Sequence, residues 1–202
     1  MTETELAGLR DAAHAHMSEK RYNHTLGVYD ECAYLADKCG LSGEEKDDLL
    51  TAALLHDIAK QLSREEQEDI CRRNAIDTSG ATAATLHQLS GAAYARELLG
   101  AAVNARVFSA ISKHTTGAAA MSLTDKILFI ADYTEAGRTQ EACRKMREYL
   151  HAKCEKIEKA EEARQIINEV ALTIIKNTIA YLAQTGDILD PRINEARATL
   201  EA

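Results

Sequence analysis

Apolar residues recur every three to four positions along almost the whole chain, and strict alternation of apolar and polar residues is nearly absent. The first pattern is typical of amphipathic helices, whereas alternation would indicate half-buried strands. We therefore predict an all-α protein. The predicted helices cover about residues 3–17, 43–57, 64–74, 86–99, 104–114, 126–133, 140–151 and 155–183, with a loop at 77–84 and a short helix after Pro191. A further predicted helix, the second along the chain, carries His24 and ends at Gly40.

Local start and stop signals support these boundaries. In the pattern Ser-x-x-Glu, the hydroxyl and the carboxylate each accept a hydrogen bond from a backbone N–H of the first helical turn. This pattern occurs at 42–45 and 63–66, and 122–125 resembles a third helix start. Glycines that end helices are predicted at Gly40, Gly100 and Gly186.

Composition and charge narrow the classes of function. The chain has 202 residues, 46% hydrophobic and 28% charged, as in an ordinary globular protein. Without a repeat or a low-complexity linker, we expect one helical domain over 1–202, with a motif-bearing core at about 18–138 and C-terminal helices at about 140–202. The formal net charge of -8 argues against nucleic acid or an anionic membrane as a partner.

The cysteines and the start of the chain bear on location. Five cysteines, with no C-x-x-C pair, do not form the pattern of a disulfide framework, so we expect reduced thiols in a cytoplasmic protein. The acidic residues 1–5 lack the basic and apolar regions of a secretion signal. We also expect no segment that approaches the apolar length of a membrane span.

The dipeptide His56-Asp57 ends an otherwise apolar helical segment. Burying an imidazole and a carboxylate there costs free energy unless a partner compensates them, and a cation is such a partner. A capping histidine beside a solvated aspartate would give the same pattern. The case for a cation is stronger because other helical segments carry His24, His87, His114 and Asp132. Nitrogen and oxygen ligands without thiolate suit iron, manganese, cobalt, nickel or zinc, and disfavour a structural zinc finger.

Longer segments around these residues resemble one family. The pattern His…His-Asp…Asp is the signature of HD-domain phosphohydrolases, and the surrounding residues resemble its YqeK-like group, the symmetrical bis(5'-nucleosyl)-tetraphosphatases. The resemblance covers about residues 15–198. The segments that carry it are Arg21–Thr25, Leu54–Lys60, His114–Gly117, Met121–Ile127, Ala131–Arg138, Ile188–Pro191 and Glu195–Arg197.

The resemblance implies a metal site and a reaction. A core site would consist of His24, His56, Asp57 and Asp132, and His87 and His114 would complete a second position bridged by Asp57. Two divalent ions are implied, with iron favoured and manganese, cobalt, nickel, zinc or magnesium as alternatives. The implied reaction is symmetrical hydrolysis of diadenosine tetraphosphate to two ADP, with a metal-bound hydroxide as nucleophile. A homodimer would be compatible with the resemblance.

Two segments depart from the usual sequence of this group. Where the group has a Leu-His-Gly-Pro type stretch, this chain has Leu86-His87-Gln88-Leu89. Where Glu-Pro-Gly-Arg is usual, Ala136 replaces the proline. The first change alters the surroundings of His87, and the second removes a residue that stiffens a turn.

A polyphosphate substrate needs positive groups and hydrogen-bond donors beside the metals. Lys60 lies four residues after His56, so a continuing helix would place it one turn along the same face. Arg21 stands three residues before His24 by the same reasoning. We predict catalytic roles for Asp57, Lys60 and Arg138. Substrate contacts are predicted for Arg21, Lys60, Thr115, Thr116, Gly117 and Arg138.

Other interpretations remain open at this point. The chain could be another HD-type enzyme (a nucleotidase, a cyclic-nucleotide phosphodiesterase or a guanosine-tetraphosphate hydrolase), a non-catalytic nucleotide sensor, or a purely structural helical protein. Each histidine alone could be an ordinary core residue. Arg21 could be a surface or salt-bridge residue, and Lys60 and Arg138 could interact with helix ends. We interpret His14, His16 and His151 as surface residues.

Overall fold

The computed structural model describes all 202 residues and contains ten α-helices and no strand, which confirms the all-α prediction. A single 3-10 turn, Gly100–Ala102, follows the fifth helix. The helices are α1 (Glu3–Ala15), α2 (Glu19–Lys38), α3 (Gly43–Leu55), α4 (Arg64–Arg73), α5 (Leu86–Leu99), α6 (Ala105–Lys113), α7 (Leu123–Thr134), α8 (Glu141–Cys154), α9 (Ala160–Thr185) and α10 (Arg192–Glu201).

Two of the three predicted helix starts form as expected. Ser63 with Glu66 and Ser122 with Asp125 make complete capping boxes at α4 and α7. The capping box predicted at 42–45 is wrong, because the Ser42 side chain makes no capping hydrogen bond at α3. There the chain enters the helix through Gly43, whose φ of +55° lies in the left-handed region and gives a different entry geometry.

The boundary between α8 and α9 also differs from the prediction. Helix α8 continues to Cys154 instead of ending near 151, and α9 begins at Ala160 instead of near 155. The extra turn of α8 buries Cys154, which lies four residues after the fully buried Leu150. Both side chains therefore lie on one face of the helix and favour its extension.

A cluster of 37 buried apolar residues forms the main core. Its members run from Leu9 in α1 to Ala196 in α10, so the cluster extends from the first helix to the last. A separate small cluster (Cys71, Leu86 and Leu89) lies between α4 and α5. The start of α5 therefore packs in an apolar cluster that is much smaller than the main core.

Helix α9 corrects the expectation that no segment approaches a membrane span. Its 26 residues are long and apolar enough, by length and composition alone. A core helix of a soluble protein passes the same test, so the result is weak evidence for a membrane. One face of α9 packs against α7, α8 and α10, while the exposed Glu169 and Lys176 carry charge elsewhere on the helix. The buried residues are Ala163, Ile167, Val170, Ala171, Ile174 and Ile175.

Candidate metal centre

Six side chains from separate parts of the sequence meet at one place inside the helical core. They come from α2, α7, the start of α5 and the residues just after α3 and α6. Their side chains are between 0% and 18% exposed, so the group is largely withdrawn from water. These are the predicted ligands His24, His56, Asp57, His87, His114 and Asp132.

The carboxylate of Asp57 lies between two pairs of histidines. Its Oδ2 atom is 3.4 Å from Nε2 of His56 and 3.8 Å from Nε2 of His24. Its Oδ1 atom is 3.4 Å from Nε2 of His87 and 3.6 Å from Nε2 of His114. One carboxylate oxygen thus faces each pair, which is the arrangement that allows a carboxylate to bridge two ions.

The second carboxylate, Asp132, lies on one side only. Its Oδ1 atom is 3.0 Å from Nε2 of His24 and 3.9 Å from Nε2 of His56. We therefore distinguish a first group (His24, His56, Asp57 and Asp132) from a second group (Asp57, His87 and His114). In each group, one imidazole or carboxylate atom from each of three residues lies within 4.8 Å of the others.

Hydrogen bonds orient three of the imidazole rings. The Nδ1 atoms of His56 and His114 each lie 2.7 Å from a backbone carbonyl oxygen, that of Ala53 and Ile111 respectively. Nδ1 of His24 lies 3.1 Å from Oε1 of Glu135. Each contact turns the opposite nitrogen, Nε2, toward Asp57, as in histidines that bind metals.

The unpaired nitrogens test whether a cation fits. The Nε2 atoms of His24 and His56 are buried and make no well-aligned hydrogen bond, although Nε2 of His24 lies 3.0 Å from Oδ1 of Asp132. Two such atoms are costly without a partner. A divalent cation would accept their lone pairs together with the oxygens of two carboxylates, a donor set that suits a transition metal. The residues present therefore fit a divalent metal site.

The charge states of the ligands also suit a cation. Burial would raise the pKa of Asp57, but the neighbouring His56 and His114 hold that pKa well below its usual value. Burial would likewise raise the pKa of Asp132, but His24 and Arg138 lower it. Burial lowers the pKa of His87 well below its usual value. Two ionised carboxylates and a neutral imidazole are the forms that bind metal ions.

His24 differs from His87 because carboxylates surround it. Burial alone would lower its pKa, but Asp132 and Glu135 raise the pKa to about 9. A proton on the His24 ring is stabilised because the carboxylates of Asp132 and Glu135 lie next to its two nitrogens. A metal ion bound at Nε2 would take the place of that positive charge.

A polar cleft of about 760 Å³ opens beside the first group. Four of its lining residues are cationic and one is a carboxylate, although the whole chain is acidic. No hydrophobic residue lines it. The lining residues are Ser18, Lys20, Arg21, Asn23, His24, Lys60, Gln61, Glu135, Gly137, Arg138, Thr139 and Gln140.

Two arginines connect the cleft with the two carboxylates. Nη1 of Arg21 donates to Oδ2 of Asp57 at 2.7 Å, so Arg21 is a salt-bridge residue at the centre. Nη2 of Arg138 donates to Oδ1 of Asp132 at 2.6 Å, and its Nε donates to the backbone oxygen of Asp132 at 2.8 Å. Both guanidinium groups are thus held at the wall of the cleft.

Lys60 reaches the second group by a different path from the one predicted. Helix α3 ends at Leu55, and residues 56–61 form successive tight turns, so the expectation of a continuing helix is wrong. Nζ of Lys60 lies 3.1 Å from Nδ1 of His87 and 3.4 Å from the backbone oxygen of Ala84. Burial lowers the pKa of Lys60, with Asp57 acting in the opposite direction.

The predicted donors after α6 are mostly engaged within the protein. The backbone N–H groups of Thr115 and Thr116 both donate to Oε1 of Gln88, and the N–H of Gly117 donates to Lys113. These three N–H groups therefore already have acceptors within the protein. The hydroxyl of Thr115, 3.1 Å from Nε2 of His87, remains beside the second group.

Several residues of the site were not predicted from the sequence. Glu135 is 3% exposed and contacts His24, although it lay inside a segment used for the resemblance. Arg147 donates to the carbonyl oxygens of Thr134 and Glu135, and so holds the turn that carries Glu135 and Arg138. Outside the site, His151, interpreted as a surface residue, is partly buried and contacts the buried carboxylate of Glu31 through Nε2 at 3.0 Å.

Comparisons with known proteins agree with this geometry. A model of the HD domain family matches residues 21–137. A symmetrical bis(5'-nucleosyl)-tetraphosphatase of Halalkalibacterium halodurans is 32% identical over 178 residues, covering 87% of this chain and 86% of that protein. The protein of the same name from Bacillus subtilis is 26% identical, again covering 87% and 86%.

A solved structure extends the agreement to the whole fold. A protein from Clostridium acetobutylicum, described as a predicted HD superfamily hydrolase involved in NAD metabolism, matches with a TM-score of 0.79 and 30% sequence identity. The match covers 97% of this chain and 96% of that one. The chain therefore belongs to the HD-domain family, in the YqeK-like group of symmetrical bis(5'-nucleosyl)-tetraphosphatases.

Proposed function

We propose that this protein is a metal-dependent hydrolase that cleaves diadenosine tetraphosphate symmetrically into two ADP. The observation that carries the proposal is the position of Asp57, with one oxygen toward each pair of histidines beside a cationic cleft. The names of the relatives supply a dinucleoside tetraphosphate as the substrate class and a symmetrical position of the cut.

The first group would hold one divalent ion, and the second group would hold another through the shared Asp57. When bound, the ions would polarise phosphoryl oxygens and activate water for attack. Iron is our preferred metal, and manganese, cobalt, nickel, zinc and magnesium are alternatives with the same ligand chemistry. Each histidine must be neutral to bind, which the burial of His87 already favours.

The cleft residues would bind the phosphate chain. Lys20, Arg21, Lys60 and Arg138 bring four positive charges to one polar surface, and the tetraphosphate carries about four negative charges. Arg21 and Arg138 are pre-oriented by Asp57 and Asp132, so a guanidinium face is available without reordering the side chain. Lys60 and Arg138 would stabilise the additional charge of the transition state.

Two further expectations concern the cellular compartment and the oligomeric state of the protein. All five cysteines are free and buried, in line with the reducing compartment that we infer, the cytoplasm. The homodimer is our inference from the resemblance, and light scattering of the purified protein measures it directly.

Product identity tests the proposed reaction. Diadenosine tetraphosphate is incubated with the metal-loaded enzyme, and the nucleotides are separated by anion exchange. We expect ADP as the only product, no turnover after removal of metal by a chelator, and recovery when the metal is restored. Equal amounts of ATP and AMP would contradict the symmetrical cut. Turnover only of a cyclic nucleotide or of guanosine tetraphosphate, included in the same panel, would reject the substrate.

A further inference from the structure

A buried carboxylate lies in the short connection between α9 and α10, apart from the six metal ligands. Asp190 is only 3% exposed. Its Oδ2 atom accepts a hydrogen bond from the hydroxyl of Thr85 at 2.7 Å, across 105 residues of sequence. Its Oδ1 atom accepts hydrogen bonds from the backbone N–H and from Nη1 of Arg192, both at 3.1 Å. Removing any of these partners would leave the buried carboxylate of Asp190 incompletely paired, which is costly. Asp190 therefore holds its partners in fixed positions.

The partner of Asp190 stands at the start of the helix that carries His87. Thr85 is the residue before α5, a position where a threonine side chain normally caps the helix. Here the Thr85 side chain makes no such cap. Its hydroxyl donates to Asp190 and accepts from the N–H of Thr82 at 2.9 Å. Asp190 thus fixes the chain two residues before a ligand of the second group.

The two residues after Asp190 hold the rest of the loop 77–85. Nη2 of Arg192 donates to the backbone oxygen of Asp77 at 3.1 Å, where that loop begins. Pro191 lies against Gly80 so closely that a Cβ atom there would be 2.6 Å from the proline ring. The loop is therefore held at its start, middle and end by three consecutive residues.

Contacts from the same segment continue to the second histidine. Gly117 ends the turn after His114 with φ of +66°, and a Cβ atom there would lie 3.0 Å from Cβ of Ala196 in α10. Gln88, next to His87, accepts from the N–H groups of Thr115 and Thr116 in that turn. Helix α10 and Asp190 therefore support both histidines of the second group.

The first group has no such support from this segment. The side-chain hydrogen bonds of Asp190 and Arg192 all go to the loop 77–85 or remain between these two residues. The rings of His24 and His56 are oriented instead by Glu135 and by a carbonyl oxygen of α3. We propose that Asp190, acting through Thr85, is a positioning residue for the metal position formed by Asp57, His87 and His114.

This inference rests on the two-ion part of the proposed function, and metal binding tests both separately. The variants are Thr85→Val, which removes the hydroxyl but keeps the shape, and Asp190→Asn, which removes the charge. Thr178→Val is the matched control, because its hydroxyl bonds only to Ile174 of its own helix. Mn²⁺ is titrated into each metal-stripped protein by calorimetry. Electron paramagnetic resonance then distinguishes single ions from spin-coupled pairs.

We expect about two Mn²⁺ per chain and a spin-coupled signal for the wild type and for Thr178→Val. In Thr85→Val and Asp190→Asn, the affinity for one ion should fall by roughly 10-fold, the lower end of the effect of losing a direct partner of a metal-binding histidine, because both residues act through the backbone before His87. The other ion should bind as before, and the signal should become that of an isolated ion. Thermal unfolding shows whether each variant is folded, and Thr85→Val alone suffices if Asp190→Asn does not fold.

Three results would overturn the inference. If both variants bind two ions with unchanged affinities, Asp190 does not position the second group. If both ions are weakened equally, the effect is a general loss of structure. If the wild type itself binds a single ion, the two-ion proposal fails together with the inference, although hydrolysis by one ion could still be measured.

Discussion

The two halves of the metal centre are built on different kinds of support. The helices of the first group, α2, α3 and α7, contribute many members of the 37-residue apolar cluster. In the second group, His114 follows α6 of the main core, but His87 stands at the start of α5, where the separate apolar cluster has three residues. Around that start, polar contacts replace apolar packing: Thr85 with Asp190, Gln88 with Thr116, and Ser90 with Gln67.

The two kinds of support should differ in how well they withstand the loss of a single contact. Apolar packing is nondirectional and tolerates small displacements, whereas a buried polar network fails if one member is lost. We therefore expect the first group to keep its ion under conditions that empty the second. Asp57 is shared by both, so the comparison predicts three classes of variant.

The largest effect should follow from the shared ligand. Asp57→Asn replaces the carboxylate by an amide of the same shape, and neither group then has the bridging charge. We expect both ions to be lost and turnover to fall by roughly 10³-fold. Metal content by elemental analysis and kcat check this, with Asp30→Asn, at an exposed aspartate, as the control. Retention of both ions in Asp57→Asn would contradict the proposal that the Asp57 carboxylate is shared by the two groups.

A smaller effect should separate the two groups. His87→Ala removes a ligand from the second group alone and should leave about one ion per chain, with turnover reduced by roughly 10²-fold. His56→Ala removes a ligand from the first group and should also weaken the second ion, because the neighbouring Asp57 loses a partner. Stoichiometric titration measures both, with the exposed His14→Ala as control. Identical titrations for the two variants would mean that the groups are not distinct.

Gly27 provides a milder way to disturb the first group. A Cβ atom at this position in α2 would collide with the carboxylate of Glu135. The flexible carboxylate can swing aside, so Gly27→Ala should remain folded but lose the contact with His24. We expect metal affinity at the first group to fall by roughly 10-fold.

The matched control for that variant is Gly8→Ala in α1, where nothing lies within 4 Å of the added Cβ. It should leave metal affinity unchanged and stabilise the fold by about 0.5–1 kcal/mol, because alanine favours helix over glycine. Calorimetric titration and thermal unfolding give the two quantities. Equal metal affinity in both variants would show that the orientation of Glu135 is unimportant.

The smallest effect concerns local opening. Burial raises the pKa of Cys32 well above its usual value and that of Cys39 to about 12, so at pH 8 both remain unreactive thiols. Burial and the neighbouring Glu68 also raise the pKa of Cys71. Cys71, however, lies in the small cluster beside α5. In mild urea we expect alkylation of Cys71 before the other two, measured by mass spectrometry of the labelled peptides. Simultaneous labelling of all three would indicate that the two regions open together.

Local signals in the sequence were sufficient for the helices. Caps at Ser63 and Ser122 formed because the bond is between residues three apart, which the sequence displays directly. The failed prediction at Ser42 is also local, because a single residue, Gly43 with its positive φ, changes how the chain enters the helix. Such backbone choices are invisible in a pattern of apolar and polar residues.

Contacts between distant residues could not be predicted in this way. The six candidate ligands were singled out by residue type and by resemblance, and the fold brings them together. The roles of Gln88, Glu135 and Asp190 depend on partners 27 to 111 residues away. For Lys60, the contact with His87 was hidden because the chain after α3 turns tightly instead of continuing as a helix. Tertiary structure, and not periodicity, decides these pairings.

The absence of any hydrophobic lining residue in the cleft has a consequence for how a dinucleotide is selected. A base is recognised by stacking on a flat apolar or aromatic side chain, with polar groups reading its edge. This cleft offers charged and polar side chains and no apolar platform. It should therefore contact the phosphate chain of a dinucleotide, and contacts with the two bases must come from residues outside it.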